Sequence, residues 1–81
     1  MTHTYIASFH TMLGAVEFHE RLLALGDETA RMLPIPRQIS VSCGTGVVFS
    51  LPFDEEKMAN PDLDSIYLCE NDSYSKLWSQ D

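Results

Sequence analysis

The sequence predicts an α+β domain with four short strands and two helices in the order β-α-β-β-α-β. Three observations predict it. Ala15, Phe18, Leu22 and Leu25 recur at the spacing of an amphipathic helix. The runs Thr4–Phe9, Cys43–Phe49 and Ser65–Cys69 are short, apolar and rich in β-branched and aromatic residues, as strands are. Gly26, the Pro34/Pro36 pair and Asn60-Pro61 punctuate the chain between them.

Each element has its own justification. In Thr4–Phe9, Tyr5, Ala7 and Phe9 fall on one face and Ile6 on the other, so the strand should be central with both faces covered. Thr11 is a suitable N-cap for a helix over Thr11–Leu25, in which Glu17 stands four residues before Arg21. Gly26 is its natural stop, because a helix end often needs a left-handed residue. Glu28–Leu33 reads as a weaker edge strand, closed by two prolines that cannot donate to a ladder. Arg37–Val41 has room for one helical turn after Pro36. Leu51–Ala59 reads as a second helix, with Asp54, Glu55 and Glu56 favouring its positive end.

The simplest packing of these elements is a ferredoxin-like sandwich over residues 1–72, a four-stranded antiparallel sheet with both helices on one face. Residues 73–81 read as a polar C-terminal tail, with Tyr74, Leu77 and Trp78 to dock on the domain or on a partner.

Composition narrows the function. Eighty-one residues fit one domain, and 44% hydrophobic residues argue against disorder. The net charge is −7, and Arg21, Arg31, Arg37, Lys57 and Lys76 are scattered along the chain. Neither nucleic acid nor an anionic membrane is an expected partner for that distribution. No apolar run is long enough to span a bilayer, and Met1-Thr2-His3-Thr4 does not open a secretory signal. Two cysteines without such a signal point to free thiols in the cytoplasm.

The chemistry-bearing residues concentrate in Pro34–Gly46, where two prolines, Arg37 and Cys43 precede a glycine. The predicted topology gathers His10, Thr11, the Pro34–Ser42 loop and Cys43 at one end of the sheet. Cys43, Arg37 and His10 are therefore the candidate catalytic residues, and Gly44, Ser42 and Pro36 the candidate substrate-binding ones. An unperturbed thiol is only about 3% ionised at neutral pH. A helix N-terminus adds about 0.3–1 kcal/mol, so a reactive Cys43 also needs the Arg37 cation beside it. The plain alternatives are a small buried apolar role for Cys43 and a surface role for His10.

Cys69 belongs at the opposite end of the sheet, roughly 15 Å or more away at ~3.3 Å per residue, beyond disulfide reach. The three histidines and two cysteines match no zinc spacing, and Gly44-Thr45-Gly46 lacks the Gly-Lys-Ser/Thr of a phosphate loop. No metal and no cofactor are expected.

The blocks Tyr5-Ile6-Ala7-Ser8-Phe9-His10, Leu33-Pro34-Ile35-Pro36-Arg37-Gln38-Ile39-Ser40 and Ser42-Cys43-Gly44 resemble the selenium/sulfur carrier protein-like family of short bacterial domains, over roughly Thr4 to Leu68. Gln38 stands where that family often has glutamate, and the Trp78-containing tail is added. The resemblance implies that Cys43 holds a persulfide or selenosulfide. It also implies a protein donor or acceptor of sulfur or selenium as partner, which makes the chain at most a thiol-based carrier or transferase accessory. The alternative is a non-catalytic interaction or dimerisation module, which would form a homo-oligomer or bind through a sheet edge, an open face or the tail.

Overall fold

The computed structural model describes residues 3–35, 44–71 and 73–80. Its elements are β1 (Thr4–Phe9), α1 (Met12–Ala24), β2 (Arg31–Pro34), β3 (Thr45–Phe49), α2 (Glu55–Met58), β4 (Leu63–Glu70) and β5 (Ser73–Ser79). All five strands join one antiparallel sheet in the order β2-β3-β1-β4-β5. β1 is central, as the apolar atoms on both its faces predict.

The sheet therefore has five strands rather than four, and the segment read as a polar tail is β5. It pairs with β4 from Ser65↔Ser79 to Glu70↔Ser73 after a turn in which Asn71 takes φ 48°, a left-handed value asparagine tolerates. Trp78 pins it down. Its ring lies 5.1 Å from that of Phe53, and its Nε1–H donates to Glu55 Oε1 at 2.9 Å. Polar serines hid the strand, because only one side of β5 needs apolar atoms.

Helix α1 begins where Thr11 accepts the Gly14 N–H at 3.0 Å. Ala15, Phe18 and Leu22 are buried against β1, β2 and β3. Leu25, expected on the same stripe, is instead the C-cap and 40% exposed. Gly26 follows at φ 99° and turns the chain away.

Strand β2 starts three residues later than expected. Asp27 Oδ1 first accepts the Thr29 N–H at 3.0 Å and the Thr29 hydroxyl at 2.6 Å, an Asx turn that uses up the leading residues. Pro34 is the last residue of the strand, one position beyond the expected Leu33, and still pairs with Thr45. Ile35 N–H bonds Gly44 O at 2.9 Å, so in this ladder the odd positions of β2 face β3. The Pro34 nitrogen thus faces outward, where a missing donor leaves the sheet edge harder to extend. Helix α2 is a single turn, because Asp54 already caps it by accepting the Glu56 N–H at 3.1 Å.

The core lies on the α1 side of the sheet. Phe9, Phe18 and Phe49 are fully buried with ring centroids 5.2 and 5.4 Å apart, and Val47, Leu63, Ile66 and Met58 of α2 complete it. Each such side chain contributes about 1.5–3 kcal/mol. Among the described residues no helix is long and apolar enough to cross a membrane.

Candidate functional site

Four of the predicted site residues, Pro36, Arg37, Ser42 and Cys43, lie outside the described residues, as does the expected turn at Arg37–Val41. His10 and Gly44 lie within them, together with both anchors of the segment. Pro34 pairs with Thr45 in the last rung of the β2–β3 ladder, and the Ile35 N–H bond to Gly44 O closes it. Gly44 takes φ +77°, a conformation that favours glycine.

A second glycine secures the same anchor for a different reason. The space a Cβ on Gly46 would need is occupied by the Ile35 side chain, and Ala7 O lies 2.6 Å from that position. Ile35 thus crosses from β2 to lie on β3, on the sheet face opposite α1. Nearby on this face, Ser8 and Ser65 are buried, and the Ser8 hydroxyl reaches Ser65 O at 3.5 Å.

His10 stands at the same sheet end. Ser8 pairs with Gly46, so β1 runs out toward His10 where β3 starts after Gly44. The His10 N–H donates to Asp62 O at 2.8 Å, and its Nε2 lies 4.0 Å from Asp64 Oδ1. The two side chains are 48% and 27% exposed, so this contact orients the ring weakly in water. Thr11, the α1 cap, is adjacent. The described part of the expected gathering is thus His10, Thr11, Pro34, Ile35 and Gly44.

Cys69 sits elsewhere. It pairs with Thr4, at the start of β1, and with Tyr74 of β5. Five residues of β1 separate that level from Phe9, about 16 Å at ~3.3 Å each. Its thiol is free and half-buried, and burial pushes its pKa up.

Two features escaped the sequence reading. Asp27 is a buried carboxylate: Oδ1 accepts from Thr29, and Oδ2 accepts the Ser50 N–H at 2.7 Å and the Leu51 N–H at 3.1 Å. Burial alone would raise its pKa, but the Thr29 hydroxyl and the three backbone donors outweigh burial and hold it below the usual value. Every lone pair is engaged in joining the α1–β2 turn to the end of β3, so Asp27 is structural. The Asp-x-Thr spacing after Gly26 was its signal. Asp64 gave none, because its nearness to His10 depends on a bulge between Ser8 and Phe9 in the β1–β4 pairing. An open cleft of about 400 Å³ lies between α1 and α2, lined by Glu17, Glu20, Arg21, Met58 and Asn60, and includes none of the candidate residues.

The family model described as "Putative Se/S carrier protein-like" matches residues 4–60. That span takes in β1 through α2, including all the candidate residues, and stops short of the expected Leu68. No curated protein and no solved structure matches the chain.

Proposed function

The chain belongs to the Se/S carrier protein-like family, and from that premise we propose that it carries sulfur or selenium on one thiol, Cys43. The observation that carries the reading is that the family match spans the whole Pro34–Gly46 segment. The hairpin base at Ile35 and Gly44 supports it, because it sets the residue after Cys43 at the sheet end where His10 and the α1 cap stand. The spatial order β2-β3-β1-β4, with β5 added beyond β4, supports reading residues 1–72 as a ferredoxin-like unit.

In the proposed transfer the Cys43 thiolate attacks the outer sulfur of a persulfide on a donor protein's cysteine. An S–S bond forms at Cys43 Sγ, the donor's own S–S bond breaks, and its cysteine leaves as thiolate with the electron pair. A donor carrying selenium in the outer position delivers it by the same exchange. No external oxidant enters. Arg37 and the N–H groups about Ser42 and Gly44 favour the anionic terminal atom, Pro36 stiffens the approach, and His10 supplies a proton or a positive charge.

Intact mass analysis of protein purified without reductant tests this. The expected result is an added mass of about 32 or about 80 Da that maps to Cys43 and is removed by thiols. No adduct after incubation with a persulfide donor, or one mapping to Cys69, overturns it.

A further inference from the structure

Of the two in-register rungs that cross all five strands on the sheet face opposite α1, one ends in a basic side chain on each side. Arg31 pairs with Val48, Val48 with Ile6, Ile6 with Tyr67 and Tyr67 with Lys76. Arg31 and Lys76 are exposed, Val48 and Tyr67 half-buried, and Ile6 is buried yet lies outside the main core cluster. The rung is therefore an apolar and aromatic strip with a cation at each end. Four strand spacings of about 4.8 Å separate those ends, roughly 19 Å. The Lys76 ammonium lies 5.9 Å from the Tyr67 ring centroid, so one cation is already seated on the strip.

The charge on this face runs against that of the molecule. The chain has 12 carboxylate side chains and only five basic ones. Among the described residues whose strand register places them on this face, Thr4, Ile6, Ser8, Arg31, Leu33, Gly46, Val48, Ser65, Tyr67, Cys69, Tyr74, Lys76 and Ser79, two are cations and none is a carboxylate. Asp64, in the bulge next to Ser65, accepts the Ser65 hydroxyl at 3.4 Å and so brings one carboxylate to the His10 end of this face, away from the strip. Scattered in sequence, Arg31 and Lys76 become the two ends of one surface feature only when β2 and β5 take the outer places of the sheet.

We infer that this rung is a docking strip for a partner protein's extended segment with an apolar centre and carboxylates at both ends. Apolar atoms of such a segment would cover Val48 and Tyr67, and its terminal carboxylates would meet Arg31 and Lys76. The matched charges select the partner and its orientation more than they add affinity. Ile35 lies on the same face, so a segment docked here sits beside the base of the Pro34–Gly46 hairpin. The inference does not depend on the chemistry of Cys43.

The test is an amide chemical-shift titration with an eight-residue synthetic peptide, two glutamates at each end and four valines and threonines between them. The expected result is shifts centred on Ile6, Arg31, Val48, Tyr67 and Lys76. Binding should be at least tenfold tighter than that of the same peptide with lysine ends, and lost in 1 M salt. The double variant Arg31→Glu/Lys76→Glu, with both changes at exposed positions, should invert the preference. Equal affinity for the two peptides, shifts confined to the helical side, or no inversion in the double variant overturns the proposal. So does tighter binding of an eight-nucleotide oligothymidylate to the same rung. Because amide shifts read docking and mass reads the thiol, each proposal can fail without the other.

Discussion

Ile35 fills the space that residue 46 leaves by having no side chain. The contact joins Ile35 to the second residue of β3, so the anchor of the candidate site depends on packing as well as on a backbone hydrogen bond.

Gly46→Ala should be destabilising for that reason. The new methyl group meets both Ile35 Cδ1 and the backbone oxygen of Ala7, and the latter has no freedom to turn aside. Overpacking of this kind costs about 1–3 kcal/mol. A thermal melt should show Tm lower by about 4–8 °C for each kcal/mol lost. Adding Ile35→Ala should recover part of the loss only, since the Ala7 oxygen remains.

Gly44→Ala tests the other half of the anchor. Among the described residues nothing lies within 4 Å of an added Cβ, so the expected cost is the conformational one that follows from φ +77°. A loss of about 1 kcal/mol is expected in urea unfolding, with the unfolding slope unchanged. A larger loss would mean that the methyl group meets something in the folded chain.

Asp27 should show itself in acid. Its folded pKa lies below the ordinary aspartate value, so its contribution is fully present above the unfolded pKa and disappears as pH falls through the folded one. Asp27→Asn should therefore lower stability at neutral pH by about 1.5–3 kcal/mol, the worth of hydrogen bonds to a charged group. The variant's stability should also fall less steeply than the parent's below about pH 4. Parallel pH curves for variant and parent would contradict this role.

Cys69 should be the slow thiol. Burial raises its pKa, so its alkylation at pH 7 should lag behind that of an unhindered cysteine and keep rising with pH past the ordinary thiol range. The carrier proposal requires Cys43 to react faster than Cys69 in the same tube. Peptide mapping after timed alkylation reads both sites at once.

Removing residues 73–81 should destabilise the domain rather than merely trim it. β5 covers one side of β4, and Trp78 packs against Phe53 and joins the core boundary. Burial of an aromatic side chain alone contributes about 1.5–3 kcal/mol. A truncated chain with unchanged Tm would be inconsistent with a five-stranded sheet.

Much of this fold was legible because its signals are local. The α1 stripe of Ala15, Phe18 and Leu22, the Thr11 cap and the two-sided apolarity of β1 all act within a few residues, and each lies where its spacing requires. What stayed hidden depends on partners far apart in sequence. β5 has the composition of a tail, and only Phe53 and Glu55 give Trp78 a place to dock. Asp27 meets Ser50 and Leu51 across more than twenty residues. At the candidate site, the motif was readable in the sequence, whereas the packing of Ile35 over Gly46 and the nearness of Asp64 to His10 required the register of the sheet.

The closure at Ile35 and Gly44 has a consequence for how such a domain can vary. The sheet ties the chain off on both sides of residues 36–43, so the register of β2 on β3 is fixed by the Ile35–Gly44 bond and the rungs behind it. For a flexible connection of any kind, doubling the length costs only about 0.6 kcal/mol in closure. A domain arranged in this way can exchange the connecting segment while the sheet beneath keeps its register.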